Sequence, residues 1–145
     1  MSGLVRTTAI LLLLSSFIAC SLLGPCTLSP NGEDSPDVGK MKDFFTNATC
    51  TQGSIHWNYP RGALRVHFKF EDKSRVFKAC LRYQSGLHYA SGFDVSNGIH
   101  VPIQLPQGTG DITCTDTIAS EVVFLLNSPI ADTNMNQYGY FLLFQ

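Results

Sequence analysis

Beyond position 82 this chain of 145 residues holds no lysine and no arginine, while five of its acidic residues fall there. The nine basic residues between Lys40 and Arg82 are offset by eleven acids, so no positive excess points to nucleic acid or an anionic membrane as a general partner. Long apolar runs are equally scarce. After residue 24 none is long enough to span a bilayer as a helix, and no membrane insertion is expected there. No two cysteines stand at the close spacing of a zinc knuckle, which argues against that metal site. The G-x-S-x-G turn, the H-E-x-x-H pair and the phosphate loop are all absent, and Gly108-Thr109-Gly110 lacks the third glycine of a dinucleotide fingerprint. No segment sustains a helical period. The expectation is a protein without cofactor or metal, and not an enzyme.

What is present begins with a leader. Arg6 is the one early charge, an apolar run covers 9–14 and continues through Phe17-Ile18-Ala19, and the small residues Ala19, Ser21 and Gly24 offer cleavage sites. Residues 1–24 read as a signal peptide cut within 19–24. The rival reading of Phe17-Ile18-Ala19-Cys20 as a lipoprotein signal suffers from a poor first residue. Residues 25–145 then form one secreted, extracellular domain with a modest core. With Cys20 in the leader, Cys26, Cys50, Cys80 and Cys114 form an even set for an oxidising compartment. Three pairings are open. The sequential one closes loops worth roughly 3–4 kcal/mol each in the chain-entropy model.

Residues 27–43 are rich in Ser, Pro, Gly, Asp and Glu and read as an exposed loop. Asn47-Ala48-Thr49 is a glycosylation sequon whose glycan would keep the neighbouring Cys50 at the surface. From Ile55 the period becomes two. Ile55, Trp57 and Tyr59 share one face; after a turn at Pro60-Arg61-Gly62, Leu64, Val66, Phe68 and Phe70 do the same with Arg65, His67 and Lys69 opposite, reading as a half-buried strand pair. Ala79, Leu81 and Tyr83 mark another strand, and Asn97-Gly98 signals a hairpin with a type I′ turn. Segments 121–126 and 138–144 are apolar on both faces, as central strands are. The fold class is all-β, an antiparallel sandwich assisted by two disulfides. Strands distant in sequence interleave in such a fold, so the clustered basic residues need not become a basic face.

Candidate sites are few. His56, His67 and His100 alternate with buried residues and read, with His88, as surface histidines rather than metal ligands. Asp111 and Asp116 straddle Cys114 in a loop; either could serve a calcium site, but turn chemistry explains both adequately. Trp57 and Tyr59 lie in the densest aromatic segment. If exposed with Tyr89 they would make a sugar-stacking platform; the face Trp57 shares with Ile55 favours core.

The run Cys50-Thr-Gln-Gly-Ser-Ile-His-Trp-Asn-Tyr-Pro-Arg-Gly-Ala-Leu-Arg-Val resembles the meteorin and meteorin-like family, whose N-terminal domain carries a similar Cys, Gly, W-x-Y-P-x-G-A-L stretch. Cys80-Leu81-Arg82, a glycine-containing hairpin, Cys114 and the aromatic strand at 138–144 extend the likeness, strongest over 50–70. The resemblance implies a CUB-like sandwich with disulfides Cys26–Cys50 and Cys80–Cys114. It also implies a secreted, hormone- or growth-factor-type signalling protein that binds a cell-surface receptor or other extracellular protein. Family members continue into a netrin-like module, whereas this sequence stops at Gln145, so a decoy or inhibitor that binds without activating is an alternative expectation. A carbohydrate- or matrix-binding module is another.

Overall fold

The computed structural model describes residues 26–30, 41–46, 49–58, 60–86, 90–128 and 135–145. The expected leader, Asn47, Tyr59, His88 and Tyr89 lie outside the described residues. Among the described residues ten strands run in chain order: β1 (Thr27–Leu28), β2 (Met41–Phe45), β3 (Gln52–Asn58), β4 (Gly62–Lys69), β5 (Phe77–Ser85), β6 (Ser91–Asp94), β7 (Val101–Ile103), β8 (Ile112–Cys114), β9 (Glu121–Ser128) and β10 (Met135–Phe144). They make two five-stranded sheets, β1-β3-β10-β5-β8 and β2-β4-β9-β6-β7. Pairing is antiparallel except at one edge of each sheet, where β1 lies parallel to β3 and β2 parallel to β4.

Successive strands alternate between the sheets, and only β6 and β7 are consecutive in sequence and paired. The strand pair expected around Pro60-Arg61-Gly62 is therefore corrected. β3 pairs with β1 and β10, β4 with β2 and β9, and the connection crosses between layers. Pro60 has no N–H to give a ladder and Gly62 takes φ 69°, which suits a change of layer better than a tight hairpin. The hairpin at Asn97-Gly98 exists with a different turn. Gly98 donates its N–H to the Val95 carbonyl at 3.0 Å, placing Ser96 and Asn97 at the centre, and pairing resumes only at Asp94 and Val101. β9 and β10 are the central strands of their sheets, as their two apolar faces require. Two segments read as loops contain strands: 27–43 holds β1 and the start of β2, and the loop around Cys114 holds β8.

The inner faces interdigitate. Ile55, Trp57, Phe77, Leu81, Tyr138 and Tyr140 come from the first sheet and Leu64, Val66, Phe68, Val122, Phe124 and Leu126 from the second, all nearly inaccessible. Phe68 meets Phe124 edge-on at 6.0 Å and Tyr140 of the opposite layer at 5.1 Å. The Tyr140 hydroxyl donates to the Cys26 carbonyl at 3.0 Å. Gly53 permits this closeness, since a Cβ there would stand 1.9 Å from that same carbonyl oxygen.

One end is closed by segment 115–119, which bonds both sheets. Thr115 donates its N–H to Ala79 of β5 at 2.9 Å, and Thr117 donates its N–H to the carboxylate of Asp94 at 3.0 Å. Asp94 is buried and also accepts the Ser96 N–H and hydroxyl at 3.0 and 2.6 Å. Burial alone would raise its pKa; the hydrogen bonds from Ser96 and Thr117 outweigh it and hold the carboxyl below its ordinary value. The basic stretch is dispersed by the topology: Arg65 and Lys69 lie on the second sheet, Lys78 and Arg82 on the first, Lys73 and Arg75 between β4 and β5.

Candidate functional site

The outer face of the second sheet gathers what the sequence scatters. Alternation along β4 turns Leu64, Val66 and Phe68 inward and Arg65, His67 and Lys69 outward. Register then brings Asp43 of β2 beside Arg65 and Phe45 beside His67, while β9 supplies Val123 opposite His67 and Glu121 opposite Lys69. Arg65 donates from Nη2 to Asp43 Oδ2 at 2.9 Å, and its Nε lies 2.6 Å from Oδ1 as an ion-pair contact without hydrogen-bond alignment. His67 Nε2 stands 2.9 Å from Asp43 Oδ1 and Nδ1 3.2 Å from Glu121 Oε1, and Lys69 Nζ reaches Glu121 Oε2 at 3.2 Å. Phe45 stacks on the imidazole, centroids 4.5 Å apart.

This network has its own electrostatics. The hydrogen bond from Arg65 is the main reason that Asp43 sits below the usual carboxylate range, with His67 adding to it. For Glu121 the hydrogen bond from His67 leads and Lys69 follows. A neutral imidazole has one N–H, so His67 donates to both carboxylates at once only as imidazolium. Its side chain is 16% exposed, hence half-buried rather than the surface histidine expected.

Beside the network Met41, Arg65, His67, Val95, Gly98, His100 and Val123 line a groove of about 200 Å³. Exposed apolar side chains rim it or stand close in sequence: Met41, Phe45, Ile99 and Val101. The volume is below the few hundred Å³ of small-molecule pockets and suits one protruding side chain of a protein partner. Both nitrogens of His67 face carboxylates, Asp43 on β2 and Glu121 on β9, so the side chain ties three adjacent strands together on this face. Among the described residues no group of three or more His, Cys, Asp and Glu is arranged to hold a metal ion.

The residues singled out in the sequence fall elsewhere. Cys26–Cys50 and Cys80–Cys114 are the two disulfides. Cys50 is 2% exposed, so the expected surface cysteine is corrected: it packs in the core beside the first sheet. Trp57 is 1% exposed on the inner face of β3, which removes it from any stacking platform. Asp111 accepts the N–H groups of Gln107 and Gly108 at 3.2 and 2.9 Å and so serves a turn. His56 is half-buried and His100 exposed, 5.8 Å from the Phe93 ring. The outward set on β4 was legible from period two; its carboxylate partners, 24 and 54 positions from His67, were not.

No curated protein matches the chain. Residues 40–138, more than half of it, match the family model of the meteorin-like protein N-terminal domain, a span that includes β2, the groove and the start of β10. With the two-sheet fold and both disulfides in place, the chain belongs to the meteorin-like family.

Proposed function

We propose that this protein is an extracellular ligand that acts by binding another protein, a cell-surface receptor, through the outer face of its second sheet. Membership in the meteorin-like family, a secreted, signalling-type and cytokine-like group, is the observation that carries the reading. The two disulfides are consistent with an oxidising compartment. The face supports it physically: charges are paired with one another, leaving apolar anchors around a small groove and little unpaired charge to desolvate.

The test is saturable binding of the labelled protein, secreted from eukaryotic cells, to cultured cells. Unlabelled protein should compete, trypsin treatment of the cells should abolish the signal, and Met41→Glu with Ile99→Glu should weaken it about tenfold or more. Saturable binding that the double substitution leaves intact moves the contact to another face. Absence of saturable binding on every cell type tried, or hydrolase activity in the pure protein, overturns the reading.

A further inference from the structure

At the end of the sandwich where β4 gives way to β5, three phenylalanines meet. Phe70 follows β4, Phe77 opens β5 and Phe144 closes β10, with ring centroids 5.5 Å apart for 70 and 77, 5.3 Å for 70 and 144, and 5.8 Å for 77 and 144. Phe70 and Phe77 are buried, while Phe144 keeps 38% of its surface open. Arg75 lies over the cluster, its guanidinium carbon 4.2 Å from the Phe144 ring centre and 4.9 Å from that of Phe70.

Arg75 is exposed, and its guanidinium makes no hydrogen bond or ion pair among the described residues. Arg65 shows the contrast, its guanidinium engaged by Asp43. Asp72 feels the charge of Arg75, yet its carboxylate oxygen Oδ1 is already held by the N–H and hydroxyl of Ser74 at 2.9 and 2.6 Å. An arginine laid on two rings has surrendered rotamer freedom in advance, and its planar fork keeps donors that match a carboxylate in bidentate geometry. Away from the polar turn 71–74 its neighbours are apolar. Phe77 pairs with Phe144 on one side and exchanges two backbone hydrogen bonds with Ala119 on the other, next to exposed Ile118.

We propose that this end of the molecule is a second protein-docking surface, separate from the groove, whose occupant is a peptide segment carrying a carboxylate beside a large apolar side chain. The carboxylate takes the Arg75 fork and the apolar side chain covers Phe144. Charge complementarity selects this occupant: a preorganised guanidinium with no carboxylate hydrogen-bonded to it among the described residues, laid on aromatic rings, is the composition of an interface anchor. A sulfated polysaccharide fits less well, because its run of anionic groups would have to lie along exposed Glu71 and Asp72 on the same turn, whereas a single carboxylate need only reach Arg75.

The experiment does not depend on the receptor reading. A random-peptide phage library is selected on the intact secreted protein, and the enriched peptides are synthesised and titrated against wild type, Arg75→Gln, Arg75→Lys, Phe144→Ser and the Met41→Glu, Ile99→Glu double variant. Thermal melts confirm that each is folded. The expected result is a consensus with Asp or Glu beside Leu or Phe whose affinity falls about tenfold with Arg75→Gln and with Phe144→Ser. Arg75→Lys restores only part of it, since charge without the fork remains, and the groove variant binds normally. Peptides without a carboxylate, peptides that bind Arg75→Gln equally well, no enrichment at all, or Arg75-dependent retention on heparin in place of peptides would each overturn the proposal.

Discussion

In the first sheet both edge strands are tied covalently. Cys26, just before β1, bonds to Cys50 ahead of β3, and Cys114 in β8 bonds to Cys80 directly across from it in β5. In the second sheet neither edge has a disulfide. β2 is held to β4 by its ladder and by the contacts of Asp43 with Arg65 and His67, His67 in turn reaches Glu121 of β9, and β7 is held by the β6 hairpin. Near that hairpin the buried Asp94 carboxylate does by hydrogen bonding what sulfur does in the other layer. The two layers answer to opposite conditions: one edge system is indifferent to acid and salt and yields to reductant, the other the reverse. The groove sits on the layer without sulfur, so the face proposed for a partner is also the adjustable one.

The largest effect should come from removing the covalent edges. Replacing all four cysteines by serine forfeits roughly 3–4 kcal/mol per bridge in the chain-entropy model, enough to unfold a domain of ordinary stability, and loss of the sheet signal in circular dichroism checks it. Each single bridge removed as a pair should leave a folded protein with a lower urea midpoint.

Next in size is Asp94. Replacement by alanine removes hydrogen bonds to a buried charge, at about 1.5–3 kcal/mol. Its folded pKa lies below the ordinary aspartate value, so its stabilisation is present above the unfolded pKa and is lost as pH falls through the folded one. Urea midpoints measured from pH 7 down to about pH 2 should therefore drop more steeply below pH 4 for wild type than for Asp94→Asn. Equal slopes would assign the acid sensitivity to other carboxylates.

The smallest effect belongs to the exposed network. His67→Ala should cost about 0.2–1 kcal/mol and less in high salt, as partly exposed ion pairs do. A sharper readout is the Glu121 carboxyl, whose titration by NMR should move up toward the ordinary glutamate range once its leading hydrogen-bond donor is gone. An unchanged Glu121 titration would show that Lys69 alone sets it.

These residues also show what a single sequence discloses. β9 and β10 were legible because a strand covered on both faces needs an unbroken apolar run, as 121–126 and 138–144 provide. β2 was not, because an edge strand with one large inward residue, Phe44, carries almost no pattern. Trp57 betrayed its burial by the face it shares with Ile55. Disulfide pairing could not be read from four spacings and came only with the family likeness. The layer change at Pro60 was hidden by the same alternation that revealed both strands, since period two says which side a residue faces and nothing about which strand lies beside it.

The topology also sets an order of events. Cys26, Cys50, Cys80 and Cys114 all precede Glu121, so every sulfur partner is synthesised before either central strand exists. Until β9 and β10 arrive, β3 has no neighbour toward β5 and β4 none toward β6. Both layers are completed late, by contacts between distant parts of the chain, which makes folding slow and concerted. A nascent chain with these four thiols still free and no sheet to align them can form wrong bridges, and its yield should depend on a disulfide isomerase that reshuffles them until the last two strands lock the pairing.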